Sequence, residues 1–288
     1  MVRRFENRTA YLFLSPFLLV YGVFMLYPIF QAAFMSVFEW DLLSLQRDYI
    51  GLSNFAEMFT KDARFWSSLS NTVEFVLLSS PLIIIFGLFF ALGVAKPRTG
   101  VMRTMLFSPY VLSVAVMTLI WGFLFNPDQG LIAEAFRLFS LEPLAWLTNP
   151  SLAMHAIVIA TLWWTVGFNM VLFVAGLQDI DPSLYEAARI DGAGPVSRFF
   201  NITIPGLERT IALVAILQII ASFQIFGQVY IMTRGGPGGT TRVLIQYIYE
   251  SGFRDFRLGY ASAMSIILFV VMFLVSIVQL RLSQRREA

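Results

Sequence analysis

Cysteine is absent from the 288 residues, histidine occurs once, and lysine only twice, at Lys61 and Lys96. Without cysteine there is no disulfide, no thiolate nucleophile and no Cys-based metal site. The single histidine, His155, cannot build a His-based metal site and reads as structural or interfacial. Neither lysine follows a glycine, so no GxxxxGK[ST] phosphate loop exists and the chain does not bind ATP by that route. Charge is also scarce. Only 13% of residues are charged and 58% are hydrophobic, whereas soluble domains carry roughly a quarter charged residues; the balance indicates a membrane protein. A formal net charge of +2 is too small to suggest a nucleic-acid partner.

What the chain does have is long apolar runs. A helix needs roughly 20 predominantly apolar residues to cross the hydrocarbon layer, and six stretches qualify, at about 10–38, 72–95, 104–125, 151–176, 211–233 and 259–280. The first is too long for a signal-peptide core and lacks a small-residue cleavage site, so it is kept as a span. Pro16, Pro28, Pro81 and Pro109 fall in or near these spans, where neighbouring helices can satisfy the freed backbone groups.

Six spans put both termini on one side. Arg3, Arg4, Arg8, Lys96, Arg98, Arg103, Arg189, Arg198, Arg209, Arg281, Arg285 and Arg286 fall on that side, at about twice the density of basic residues on the other. The positive-inside rule makes that side cytoplasmic, although 234–258 alone carries four arginines on the opposite side. The loops assigned outside are longer, and read either as connectors or as a landing surface for a soluble partner.

The spans hold almost no ionisable group; Glu74 and His155 lie near span ends. Ion-coupled carriers and voltage sensors place such groups inside the bundle, and an intramembrane hydrolase needs paired carboxylates, a metal or an activated nucleophile. Both classes are disfavoured. Uncharged polar residues cluster instead. Thr161, Trp164, Thr165 and Phe168 follow i, i+3, i+4, i+7 spacing and share one face of the fourth span, with Asn169 beside them. Gln218 and Ser222 lie four apart on the fifth span, and Gln224 and Gln228 form a second pair on another face. Rings beside amides and hydroxyls suit a neutral, hydroxyl-rich solute. The same groups equally suit hydrogen bonding between membrane helices.

Between these two spans the sequence reads "QDIDPSLYEAARIDGAGPVSRFFNITIPGL". Asp181 can cap a helix opening at Pro182, with Gly192 placed to end it. A second short helix can open at Pro195 and is expected to finish before Pro205. Patterning alone leaves open whether this pair is an interfacial loop or a docking element for another protein.

The stretch resembles the EAA signature of binding-protein-dependent ABC importer permeases, E-A-A-x3-G-x9-I-x-L-P. Glu186, Ala187, Ala188, Gly192, Ile202 and Pro205 match, and Ile204 stands where leucine is usual. "LYPIFQAAFMSVFEWD", "SPYVLSVAVMTLIWGFLFNPDQGLI" and "MTRGGPGGTTRVLIQYIYESGFRDFRLGYASAMS" extend the likeness, to carbohydrate-type permeases of the maltose and glycerol-3-phosphate kind. The resemblance implies an all-α, six-span type I importer permease, a single transmembrane domain over 1–288, lying in the cell membrane with cytoplasmic termini. It implies that Glu186, Ala187, Ala188, Asp191 and Gly192 belong to a coupling helix seated on a cytoplasmic ATPase dimer. Partners would be that ATPase, which uses ATP and Mg, a second related permease, and an extracytoplasmic solute-binding protein; the chain itself would bind no cofactor.

Carried across by spacing from the motif, the family's sugar contacts fall on Thr161, Trp164, Thr165, Phe168, Gln218 and Ser222. Another falls on Ile225, which is apolar, with Gln224 alongside. The reading is therefore a sugar importer permease, with glycerol-3-phosphate or a phosphodiester as the alternative solute. A passive channel or membrane scaffold is the alternative of a different class.

Overall fold

A computed structural model describes residues 2–41, 43, 47–95 and 99–284, with side chains between Leu12 and Arg281. Lys96, Arg98, Arg285 and Arg286, used above for orientation, lie outside the described residues, as do the side chains of Arg3, Arg4 and Arg8. In chain order the elements are α1 (Val2–Tyr21), a π turn, α2 (Tyr27–Met35), β1 (Phe38–Trp40), β2 (Arg47–Tyr49), α3 (Ser53–Thr60) and α4 (Ala63–Val94). Then follow α5 (Gly100–Phe107), α6 (Val114–Leu124), α7 (Leu131–Leu138), α8 (Ala153–Gln178), α9 (Pro182–Ile190), α10 (Pro195–Arg198) and α11 (Ile204–Gly206). The chain ends in α12 (Glu208–Phe223), α13 (Gly227–Met232), α14 (Leu244–Tyr249) and α15 (Leu258–Gln284).

Four helices are long and apolar enough to cross a membrane, and six spans result if each of two bent pairs counts as one. The third expected span, 104–125, does not run as one helix. It is broken, with Gly100–Val111 and Val114–Leu124 meeting at 98°. Pro109 sits in a 3-10 turn over Ser108–Val111, Leu112 is extended, and the Ser113 hydroxyl restarts the helix by accepting the Val116 N–H. The expected fifth span over 211–233 is interrupted too: α12 ends at Phe223 and α13 begins only at Gly227.

The chain divides into two compact units, Met1–Phe65 with Tyr247–Val271, and Trp66–Gln246 with Met272–Ala288. In the first, no residue of Leu12–Met35 is buried; in lipid an apolar exposed face carries no hydrophobic penalty. β1 and β2 pair antiparallel, Trp40 opposite Arg47, whose guanidinium lies 4.0 Å over the indole ring. Asn54 is buried and donates to the Ser36 and Phe38 carbonyls at 2.9 and 3.0 Å. Arg257 grips Glu57 with two hydrogen bonds, at 2.9 and 2.7 Å. Asp62 accepts hydrogen bonds from the phenols of Tyr247 and Tyr260.

In the second unit α8 is the central element. It is predominantly apolar, more than half of it is buried, and it contributes to each of three apolar clusters, through Ile157, Phe173 and Ala160. Small residues admit its neighbours. A Cβ on Gly167 would sit 2.1 Å from the Leu106 carbonyl oxygen, and one on Gly176 2.3 Å from the Thr210 hydroxyl. The glycine-rich loop after α13 is tied down by Asn71, whose amide donates to the Gly239 and Arg242 carbonyls at 2.9 and 3.0 Å.

Candidate solute cavity and coupling segment

A cavity of about 230 Å³ opens where α8 and α12 face each other beside the break of the third span. Thr161, Trp164, Thr165, Phe168, Gln218 and Ser222 all line it. The i, i+3, i+4, i+7 face of α8 and the i, i+4 pair of α12 therefore meet across one space. Gln224 does not: it caps the end of α12, is exposed, and lies outside the lining, while Gln228 of α13 lines it instead. Ile225, the apolar residue at a family contact position, is 3% exposed and shared between the lining and a core cluster.

One wall of the cavity is aromatic. Tyr110 stacks on Phe168 with centroids 4.9 Å apart and reaches Trp164 at 6.4 Å. Trp164 also closes the helix break, its indole N–H donating to the Leu112 carbonyl at 3.1 Å. Breaks in membrane helices persist only where such partners exist. Sequence reasoning missed Tyr110, Phe75, Leu217 and Ala221. Pro109 was the usable signal for Tyr110, because irregular backbone at membrane depth is tolerated where it lines a cavity.

The other wall is a polar chain. Asn169 donates to the Gln218 carbonyl oxygen at 3.1 Å, Gln218 donates to Ser222 at 3.0 Å, and Ser80 donates to Ser222 at 3.1 Å. Ser79 shares a bond of 3.2 Å with the same hydroxyl. Gln218 and Ser222 thus bond to other helices and line the cavity at once, so the two readings of these residues do not exclude each other. Thr161 differs. It is 5% exposed, and its hydroxyl meets no hydrogen-bond partner. Among the described residues no acidic or basic side chain lines the cavity. Among the described residues no group of three or more His, Asp or Glu side chains is placed to hold a metal ion.

At the other site, α9 forms as the sequence predicts. Asp181 accepts the Ser183 N–H at 2.9 Å, Pro182 opens the helix, and Gly192 follows its end at φ +78°. The Ser183 amide, then its hydroxyl, hold the exposed Asp181 carboxyl below its ordinary pKa. Glu186, Ala187, Asp191 and Gly192 are exposed, and Ala188 is half-buried. Tyr185 is bonded at 3.0 Å to buried Thr203, joining α9 to the returning strand of chain. The second helix does not finish before Pro205, which is a correction. α10 continues through a π turn over Phe199–Thr203 into α11, and the chain bends by 67° only at Leu207. Pro205 falls in the first turn of α11, where a missing N–H costs little.

Fold and cavity together define a multi-span membrane protein with a cavity between two helices and a short helix pair between the same two helices. Residues 64–288 match the family described as binding-protein-dependent transport system inner membrane component, and the chain belongs to it. It is similar to the probable ABC transporter permease protein YurN of Bacillus subtilis, 34% identical, covering 94% of each chain. It is 33% identical to the lactose transport system permease protein LacF of Rhizobium radiobacter, covering 99% of this chain and 97% of that one. It is 34% identical to the sn-glycerol-3-phosphate transport system permease protein UgpA of Agrobacterium fabrum, covering 98% and 97%. The fold matches a bacterial alginate ABC transporter, solved in complex with an alginate pentasaccharide-bound periplasmic protein, at TM-score 0.86 and 21% identity over 97% and 95% of the chains. The chain is thus a permease subunit, a transport component rather than an enzyme.

Proposed function

We propose that this permease passes a neutral sugar, and that α9 receives the stroke of a cytoplasmic ATPase. The observation that carries the solute reading is the cavity lining: stacked aromatic rings on one side, amides and hydroxyls on the other, and no charged side chain. Rings pack on the C–H face of a sugar while amides and hydroxyls pair its hydroxyl groups. The lactose permease among the relatives supports it. The glycerol-3-phosphate relative favours a second reading. A phosphate, however, calls for arginine, lysine or a helix N-terminus at the site, and the cavity offers no arginine or lysine.

In this reading the remaining partners are a second permease related to this one, an ATPase dimer using ATP and Mg, and a solute-binding protein on the outer face. The chain itself binds no cofactor, and both termini lie in the cytoplasm of a bacterial or archaeal cell. Exposed Glu186, Ala187, Asp191 and Gly192 and half-buried Ala188 form the coupling surface. Calorimetric screening of the cognate solute-binding protein tests the solute. Binding of a neutral sugar, with ATP-driven uptake of that sugar by the reconstituted complex, is the expected result. Binding of glycerophosphodiesters and no sugar overturns it.

A further inference from the structure

Helix α7 has one face on the core and one with no partner. Ala133 is buried, and Ile132 packs on the cluster of Met117, Phe125, Ala156 and Ala160. Arg137 fixes the helix from its polar side, pairing with Glu134 and donating to the Pro127 and Asp128 carbonyls at 3.1 and 3.0 Å. The remaining stripe is Leu131, Ala135, Leu138 and Phe139, at i, i+4, i+7 and i+8. Leu131, Leu138 and Phe139 are 64%, 84% and 78% exposed, and Leu141 just beyond is 57% exposed. Large apolar side chains collected at this exposure mark a surface that meets something other than water.

Its surroundings name the occupant. α7 begins seven residues after Leu124, the last residue of the third span's second half, and the fourth span begins at Ala153. The exposed apolar face of α6, with Leu119 at 68% and Phe123 at 55%, leads directly to this end of the span. A short helix with one apolar and one charged face, continuous with a lipid-facing span, has the character of an interfacial element.

We infer that α7 and the turn after it lie in the lipid interface, with Leu131, Leu138, Phe139 and Leu141 immersed among acyl chains and Glu134 and Arg137 toward the headgroups. The inference depends on the membrane spans and not on the solute.

Because the chain has no cysteine, single spin labels can be placed without background. Leu138→Cys, Leu131→Cys and Glu134→Cys, each labelled in the full complex in phospholipid bilayers, are compared for collision with oxygen and with a water-soluble nickel chelate. The labels at 131 and 138 are expected to favour oxygen several-fold more than the label at 134, and to be unchanged when the solute-binding protein is added. Equal nickel access at all three positions overturns the inference in favour of free solvent. Shielding at 131 and 138 from both agents, whether constitutive or on adding the binding protein, overturns it in favour of a protein partner. Since all three positions are exposed at the surface, a misfolded variant is recognised by loss of uptake at the unlabelled stage, and Phe139→Cys then serves as the second lipid-face probe.

Discussion

Thr161 is the residue at which pathway and packing are separable. Its hydroxyl is buried without a partner while it lines the cavity, so its removal takes nothing from the helix bundle. Thr161→Val should leave the melting temperature of the purified complex unchanged or slightly raised. Maximal uptake with saturating binding protein should fall about tenfold, the worth of one hydrogen bond of about 1.4 kcal/mol. Gln218→Leu should behave differently, because it removes the bonds from Asn169 and to Ser222; at about 0.5–1.5 kcal/mol of stability each, the loss is visible as a lower melting temperature. Asp62 carries a pH signature. Its partial burial raises its pKa, but the bonds from Tyr247, then Tyr260, and from the Phe65 and Arg64 amides outweigh that and hold it below its ordinary 3.8. A carboxyl depressed on folding stabilises the fold above its unfolded pKa, and that contribution disappears as pH falls from 3.8 toward the lowered value. Melting curves recorded through this range should therefore be flatter in Asp62→Asn than in the parent.

Between elements, close approach is the governing quantity. α5 and α8 touch at Gly167, where a Cβ would fall 2.1 Å from a backbone oxygen, so the neighbour cannot yield by a rotamer change. Gly167→Val should cost about 1–3 kcal/mol or more through overpacking, and should disturb the Trp164 bond to Leu112 that holds the third span's break. Reduced yield and thermal stability of the complex measure the first effect. Such contacts also explain what could be read in advance. The existence of the spans and the cap at Asp181 follow from local patterns: apolar length, and Asp-Pro before a helix. The cavity faces of α8 and α12 were legible because their polar residues keep helical spacing. Three features were not. The 98° angle of the break is held by Trp164, 52 residues away, which Pro109 alone does not reveal. Tyr110 enters the cavity only because of that break. Gln224 falls outside the cavity because α12 stops at Phe223, so the pair Gln224 and Gln228 is divided between a helix end and a new helix.

At the scale of the whole molecule the chain has a cavity between α8 and α12, no GxxxxGK[ST] sequence, and an exposed helix between the two helices that line the cavity. In the proposed reading energy enters through another protein, and the exposed helix α9 receives it. The hinge is Gly192. Its φ of +78° disfavours a β-carbon through backbone strain alone, since nothing lies within 4 Å of where that carbon would be. A residue with a side chain there bears roughly 1–2 kcal/mol of strain, and asparagine bears the least. ATP-driven uptake by the reconstituted complex, measured for the parent, Glu186→Lys, Gly192→Val and Gly192→Asn, therefore tests the central claim most directly. Glu186→Lys and Gly192→Val are expected to reach the membrane in normal amounts but to lose uptake and the stimulation of ATP hydrolysis by the binding protein, while Gly192→Asn retains most of both. Parental rates of energised uptake in Glu186→Lys and Gly192→Val would contradict it.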